Sequence, residues 1–334
     1  MMNLQNKTLL ITGIDEFIGW RAAELAIAQG LKVRGLQSSS NQEKAQKLGV
    51  EVIVGSITDA AIAQKACQGV DIVLHTAQLT EEAGPIQNFR SINVAGAVNM
   101  AKAAKSAGVK SFVHLSSVMV YGFNYSDRIT EAGPLSADNN PYCQTKIEAE
   151  AELLPLNSPP DFGLIIIRAG DVYGPGSIPW IVRPLLMMRQ KLFAYANDGQ
   201  GVFNHLYIDN LIDAIFLAIE KEAYGEIFNI TDGEQTTWKE YFMRLAAMEG
   251  SPAPMSIPKD EMKLFLKLRN QGQKLFRKKA DILPESVDFM TRPHAYSIAK
   301  AQTLLDFKPK IDLEEGLRQT KAWVQKTDIQ KLVK

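Results

Sequence analysis

The chain has 334 residues, 46% hydrophobic and 22% charged, ordinary proportions for a globular protein with a large core. Its 37 Lys and Arg balance 37 Asp and Glu, so no overall field draws it to nucleic acid, which is excluded as a partner. The start, MMNLQNKTLLITG, has no apolar run of signal-peptide length, and no uncharged stretch approaches the ~18 residues of a membrane span; a soluble, cytoplasmic protein is expected. Two cysteines, Cys67 and Cys143, fit a reducing compartment. Together with four scattered histidines, His75, His114, His205 and His294, they have no metal-ligand spacing, so no structural metal is expected.

From Lys7 to about Arg168 short apolar runs alternate with helical patterns. The strand candidates are TLLIT (8–12), KVRGL (32–36), VEVIV (50–54), DIVLH (71–75), SFVHL (111–115) and GLIIIR (163–168). A helix, FIGWRAAELAIAQG, stops at Gly30, a usual helix terminator. Strands alternating with helices predict an α/β fold, a Rossmann-type doubly wound parallel sheet covered on both faces.

Past Tyr173 the rhythm changes. GPGSIPW reads as a loop, LYIDNLIDAIFLAIE as a strand end feeding an amphipathic helix with Asp209 near its start, and GEIFNIT as a further strand. From about Thr236 the pattern is mostly helical. The expected division is a dinucleotide-binding domain over 1–172, rejoined by 202–230, and a smaller, mostly helical substrate lobe over 173–201 and 231–334.

The turn ITGIDEFIGW follows the first strand and opens a helix, an arrangement that aims free N–H groups and a positive dipole end at a diphosphate. Gly13 supplies the turn and Gly19 the close approach of helix to sheet, but Glu16 stands where another glycine is expected. Its carboxylate, with Asp15 beside it, would repel a diphosphate. After the second strand come Gln37 and Ser38, Ser39 and Ser40, with no acid to grip the ribose hydroxyls of NAD. Neutral groups tolerate a 2′-phosphate better, which favours NADP over NAD by a small margin, with Arg21 and Arg34 as the cations that could reach it. The alternative is a polar loop without a binding role.

SSVMVYG (116–122) follows an apolar strand, and PYCQTK (141–146) opens a helix with Tyr142 and Lys146 on one face. A neighbouring ammonium stabilises a phenolate, so Tyr142 could exchange a proton with a substrate hydroxyl or carbonyl. Ser117 would bond the same oxygen while nicotinamide exchanges hydride with its carbon. Ser116 is the other candidate for the exposed hydroxyl.

The ordered set of motifs resembles the extended short-chain dehydrogenase/reductases of the NAD-dependent epimerase/dehydratase kind. TGIDEFIG resembles TGxxGFIG, GSITD resembles GDxxD, DIVLHTA resembles DxVxHxAA, INVAGAVNM resembles NVxGTxNLL, and RAGDVYGPG resembles RPxxVYGPG. The resemblance implies catalytic roles for Ser117, Tyr142 and Lys146, with Asn93 beside the site unless it only caps a turn. It implies a cofactor, NAD(P), along Gly13, Phe17, Ile18, Gly19, Gln37, Ser38, Ser56, Ile57, Thr76, Ala77, Tyr142 and Lys146. Ser56 departs from the family acid, as Glu16 departs from the glycine. With the trio intact, both imply a modified cofactor site whose turn points Glu16 away from the phosphates.

Val118 and Met119 stand where the 4,6-dehydratases of the family resemble one another in carrying an acid pair, so elimination of water is disfavoured. Phe203 stands where nucleotide-sugar members carry a diphosphate-gripping arginine, and the stretch around it resembles the 3β-hydroxysteroid dehydrogenase-like branch. Val118, Met119, Trp180 and Phe203 are expected to line the substrate cleft. The expected activity is an NAD(P)-dependent oxidoreductase acting on a secondary alcohol or ketone of a fairly hydrophobic substrate. A nucleotide-sugar epimerase and a non-catalytic NAD(P)-sensing or partner-binding module are the alternatives. Family habit implies a homodimer. The stretch 259–279, with eight basic residues against two acids, reads as a lid helix or, less favoured, as a contact with a membrane surface.

Overall fold

The computed structural model describes residues 2–81, 83–275 and 283–333. Seven strands form one parallel sheet: β1 (Thr8–Thr12), β2 (Lys32–Gln37), β3 (Glu51–Val54), β4 (Ile72–His75), β5 (Ser111–Ser117), β6 (Gly163–Ala169) and β7 (Ile227–Ile230). Their order across the sheet is β7-β6-β5-β4-β1-β2-β3. The order reverses at β1, between β2 and β4. In doubly wound sheets a crevice for ligands opens at that point, beyond the carboxyl ends of the strands.

Period-two alternation sends neighbouring side chains to opposite faces. Leu9 and Ile11 pack with Ala22, Ala23 and Ala26 of helix Phe17–Ala28 and with Leu211 and Ile215 of helix Ile208–Glu220. Leu10, Val73 and Phe112 face the other way, onto Ala63 and Ala66 of helix Ala60–Cys67 and Ala97 and Ala101 of helix Ala97–Ser106. Small residues on these helices let them lie close to the sheet. Helix Phe17–Ala28 ends before Gly30, whose φ of 84° lies in the left-handed region.

Two expectations are refined. GPGSIPW is a loop only in its first half, because Ile178–Val182 forms a π-helical turn that runs into helix Arg183–Arg189, with Pro179 near the start of the turn. The last third adds short two-residue and three-residue strands to its helices, among them Thr236–Thr237 and Met255–Ile257. Both pair with neighbours distant in sequence, Val202–Phe203 and Ala194–Ala196.

Helix Lys259–Leu275 buries Met262 and Leu266 against Ala196 and Val287. It also turns Leu264, Phe265 and Leu268 outward, 57%, 63% and 59% exposed. Residues 276–279 of the basic stretch lie outside the described residues. Among the described residues no helix is long and apolar enough to cross a membrane.

Candidate active site

The glycine turn sits at the carboxyl end of β1. Gly13 has a φ of 68°, and a Cβ there would lie 3.1 Å from the Ala77 Cα. A Cβ on Gly19 would come within 2.3 Å of the Gly13 carbonyl oxygen, so helix and turn touch through a position only glycine fits. Thr12 joins this turn to β4: its hydroxyl accepts from Ala77 N–H at 3.2 Å and bonds His75 Nδ1 at 2.9 Å. The Thr76 hydroxyl donates to the Thr12 carbonyl at 2.6 Å.

No side chain caps helix Phe17–Ala28, so the first N–H groups of that helix are left for a ligand, as a diphosphate requires. The residues present therefore fit a dinucleotide at this end of the sheet. Glu16, the residue before the helix, is exposed on its surface. Protein packed around the turn nonetheless desolvates its carboxyl, and Asp15 repels its charge, so its pKa rises to about 7.

At the end of β2 the Gln37 amide folds back, donating to the carbonyls of Ser39 and Asn41, both at 2.8 Å. Neither candidate cation is free to meet a 2′-phosphate. Arg21 forms a fork with Asp209 at 2.7 and 2.8 Å and also bonds Glu24. Arg34 is held by Glu51 and by the carbonyls of Ala66 and Gln68. Ser56 closes a small turn with Thr58, and Ile57 is buried in the core, its carbonyl accepting from Asn99.

Helix Pro141–Leu153 carries the Tyr142 and Lys146 pair. Pro141 opens it, and the Asn140 side chain accepts from the N–H groups of Tyr142 and Cys143, a strong N-terminal cap. Its position is then locked. Glu150, one turn past Lys146, accepts from Arg168 at 2.6, 3.0 and 3.2 Å and from the Ser116 hydroxyl at 2.5 Å. Ser116 is thereby turned into the protein, whereas the Ser117 hydroxyl accepts the Met119 N–H at 3.2 Å and lies close enough to Tyr142 to pull its pKa down. The two serines left open by the sequence are thus separated.

Lys146 is 1% exposed and donates to the Leu115 carbonyl at 2.6 Å, its Nζ lying 5.8 Å from the centre of the Tyr142 ring. Burial lowers its pKa to about 7, against the opposing pull of Glu150. The expectation that a neighbouring ammonium lowers the phenol is not met. Burial, helped by Cys143, pushes Tyr142 well above the ordinary phenol value, with Ser117 acting weakly in the other direction. Desolvation is the largest cause of both shifts.

Asn93 lies in a π-helical turn, Arg90–Gly96. Its amide accepts from the Leu79 N–H at 2.7 Å and donates to the Leu79 carbonyl at 3.1 Å and to Thr145 at 3.2 Å. It fastens the segment after β4 to the helix of Tyr142. Gln78, which the sequence did not single out, accepts a long hydrogen bond from the Tyr142 hydroxyl at 3.4 Å. Its only signal was its place directly after HTA.

The substrate-lining candidates are not all brought together. Met119 and Trp180 are partly buried. Val118 is sealed among Val120, Tyr121 and Tyr296. Phe203 has no exposed surface and lies in a ring cluster, 4.2 Å from Tyr241, 5.0 Å from Trp180 and 5.3 Å from Trp238 between centres. It backs the wall that Trp180 presents. Arg292, nearby in the lobe, is fully buried and neutralised by Asp171 at 2.7 Å. Among the described residues no group of three or more His, Cys, Asp or Glu could hold a metal ion.

A parallel sheet with a glycine turn at its switch point and a Ser, Tyr and Lys set at the end of β5 defines a nicotinamide-dependent α/β enzyme class. Residues 9–231 match the NAD dependent epimerase/dehydratase family, and the chain belongs to it. The family contains dehydrogenases, reductases, epimerases and dehydratases. The chain is 25% identical over 309 residues, 91% of its length and 90% of the relative's, to 4-hydroxy-2-methyl-3-oxo-4-farnesyl-3,4-dihydroquinoline-1-oxide ketoreductase of Stigmatella aurantiaca. It is 28% identical over 328 residues, 94% of each chain, to UDP-glucose 4-epimerase of Vibrio cholerae. The fold is similar to that of UDP-glucose 4-epimerase of Thermotoga maritima, with a TM-score of 0.78 at 24% identity, over 96% of this chain and 99% of that one.

Proposed function

We propose that the chain is an NAD(P)-dependent reductase or dehydrogenase of a secondary alcohol or ketone on a fairly hydrophobic substrate, with Tyr142 as general acid/base. The feature that favours this reading over a sugar-nucleotide epimerase is Phe203, buried behind Trp180 at the position where nucleotide-sugar members of the family carry a diphosphate-gripping arginine. The nearby Arg292 is already neutralised by Asp171.

Bound nicotinamide supplies or receives the hydride. In reduction the Tyr142 hydroxyl donates its proton to the ketone oxygen, and Ser117 hydrogen-bonds the same oxygen. Lys146 would hold the nicotinamide ribose. Burial favours the protonated form of the Tyr142 phenol, the form that gives its proton in reduction and is regenerated in oxidation. The acid-free end of β2 accepts a 2′-phosphate, but with Arg21 and Arg34 engaged elsewhere the preference for NADP over NAD should stay within about tenfold, or ~1.4 kcal/mol.

Titration with NADPH and NADH, followed by energy transfer from tryptophan, tests the cofactor. Tyr142→Phe tests the chemistry: turnover of hydrophobic ketones should fall by roughly 10²-fold or more while cofactor affinity holds. Unchanged turnover would sink the mechanism. A melting temperature raised by UDP-glucose would instead move the assignment to an epimerase.

A further inference from the structure

Gln78 stands on a segment held from both sides. Before it, Ala77 is fastened to the Thr12 hydroxyl. After it, both backbone groups of Leu79 are clamped by the Asn93 amide, which also reaches Thr145 on the helix of Tyr142. A residue so anchored presents its side chain in a fixed place. Gln78 is half-buried, and its Oε1 accepts the Tyr142 hydroxyl at 3.4 Å. Among the described residues its Nε2 has no protein partner.

We propose that Gln78 is a specificity-determining residue that selects ketones carrying a second oxygen close to the reacting carbonyl. The proposal rests on the reading of Tyr142 as the proton donor. At 3.4 Å the bond from Tyr142 is longer than the usual range for a hydroxyl donor. A bond of that length yields readily to a shorter one when a ketone oxygen arrives. The amide nitrogen of Gln78 is bonded to the same carbon as that acceptor oxygen, so its two N–H donors lie within reach of a group beside the reacting carbonyl. An oxygen on the β carbon, as in a β-keto ester, meets both needs: its ketone takes the Tyr142 proton, and its second carbonyl accepts from Gln78. A plain ketone leaves the amide donors without a partner once water is displaced, and sites built around a hydrogen bond reject analogues that lack it.

The test compares a plain methyl alkyl ketone with the β-keto ester of the same chain length, using the full chain and NADPH or NADH. The native protein should favour the β-keto ester by about tenfold or more in kcat/KM. In Gln78→Leu that preference should collapse, because KM for the β-keto ester rises several-fold more than KM for the plain ketone. An equal loss on both substrates would make Gln78 a structural residue only and overturn the proposal. Tyr142→Phe should be inactive on both, and activity there would overturn the reading of Tyr142 instead.

A second measurement does not depend on turnover. With carbon-labelled tyrosine, the Tyr142 resonance, assigned by its loss in Tyr142→Phe, should move in Gln78→Leu, where the phenol loses its acceptor. An unmoved resonance would overturn the proposal.

Discussion

Arg168→Met would remove the cation that is ion-paired with a buried carboxylate behind the site. Arg168 and Glu150 are each 3% exposed in their side chains, and Arg168 makes three N–H contacts with Glu150, at 2.6, 3.0 and 3.2 Å. After the substitution Glu150 keeps only the Ser116 hydroxyl. Arg168 also donates to the Tyr121 hydroxyl at 2.6 Å and to the Glu131 carbonyl at 3.2 Å, and those two acceptors lose their donor as well. Breaking a buried pair from one side costs about 3–5 kcal/mol, because the remaining charge is uncompensated. At about 2 °C per kcal/mol for a chain of this size, the melting temperature should fall by roughly 6–10 °C.

The assay is thermal and urea unfolding of Arg168→Met, Glu150→Leu and the double variant. An apolar replacement of both partners should recover much of the loss, since the desolvation cost disappears with the charges. The uncovered Glu150 carboxylate sits one turn from Lys146 and should raise its pKa in Arg168→Met, visible as an upward shift of the basic limb of any pH-rate profile. A loss under about 1 kcal/mol in Arg168→Met, or a double variant as unstable as the sum of the singles, would refute this account of the buried pair.

Dinucleotide affinity should fall as pH rises through about 7, as Glu16 ionises beside the diphosphate turn; Glu16→Gln should bind independently of pH over that range, and equal slopes in titrations of the two proteins would contradict the assignment. Burial opposes the charge on His205, but hydrogen bonds and charges from Asp232 and Glu234 together outweigh it and raise its pKa to about 9. A raised pKa contributes stability that is whole below the unfolded value of ~6.5 and is lost as pH rises through about 9. The native melting temperature should therefore drop between pH 7 and 10 more steeply than that of His205→Gln. If helix Lys259–Leu275 is a lid, the protein should not float with anionic vesicles despite the outward Leu264, Phe265 and Leu268; retention that a triple serine variant loses would make the helix a membrane contact instead.

The sheet was legible because each strand is a short apolar run bounded by glycine or a charge, and parallel strands buried on both faces read that way. All six runs between Thr8 and Arg168 fall on β1 to β6, and IFNI falls on β7. Motif order likewise placed Tyr142 and Lys146 on one helix and Ser117 at the end of β5. What local pattern could not show is where long side chains end. Arg21 and Asp209 are 188 residues apart in sequence, and nothing near Arg21 announces that its guanidinium is taken. Phe203 read as a cleft residue because its motif neighbours suggested a ligand. Its ring is instead fixed by Tyr241 and Trp238 from a later helix, which leave Phe203 without exposed surface. Gln78 was missed for a related reason: a single polar residue after a motif has meaning only through the distant tyrosine it faces.

The charge state of the Tyr142 and Lys146 pair follows from depth. Both groups are desolvated, which disfavours the phenolate and the ammonium alike, so near neutral pH the pair tends toward two uncharged partners. Two neutral groups give no ion pair to hold the geometry. The helix cap at Asn140 and the Arg168 to Glu150 lock supply that rigidity instead, from one end of the helix and from behind it. The protonated phenol is the form that burial favours here. Anything raising the positive charge near Lys146 must likewise work against burial, which the retained Glu150 carboxylate opposes only in part. The rigidity of the Tyr142 and Lys146 pair therefore lies in the packing beneath the helix as much as in the pair itself.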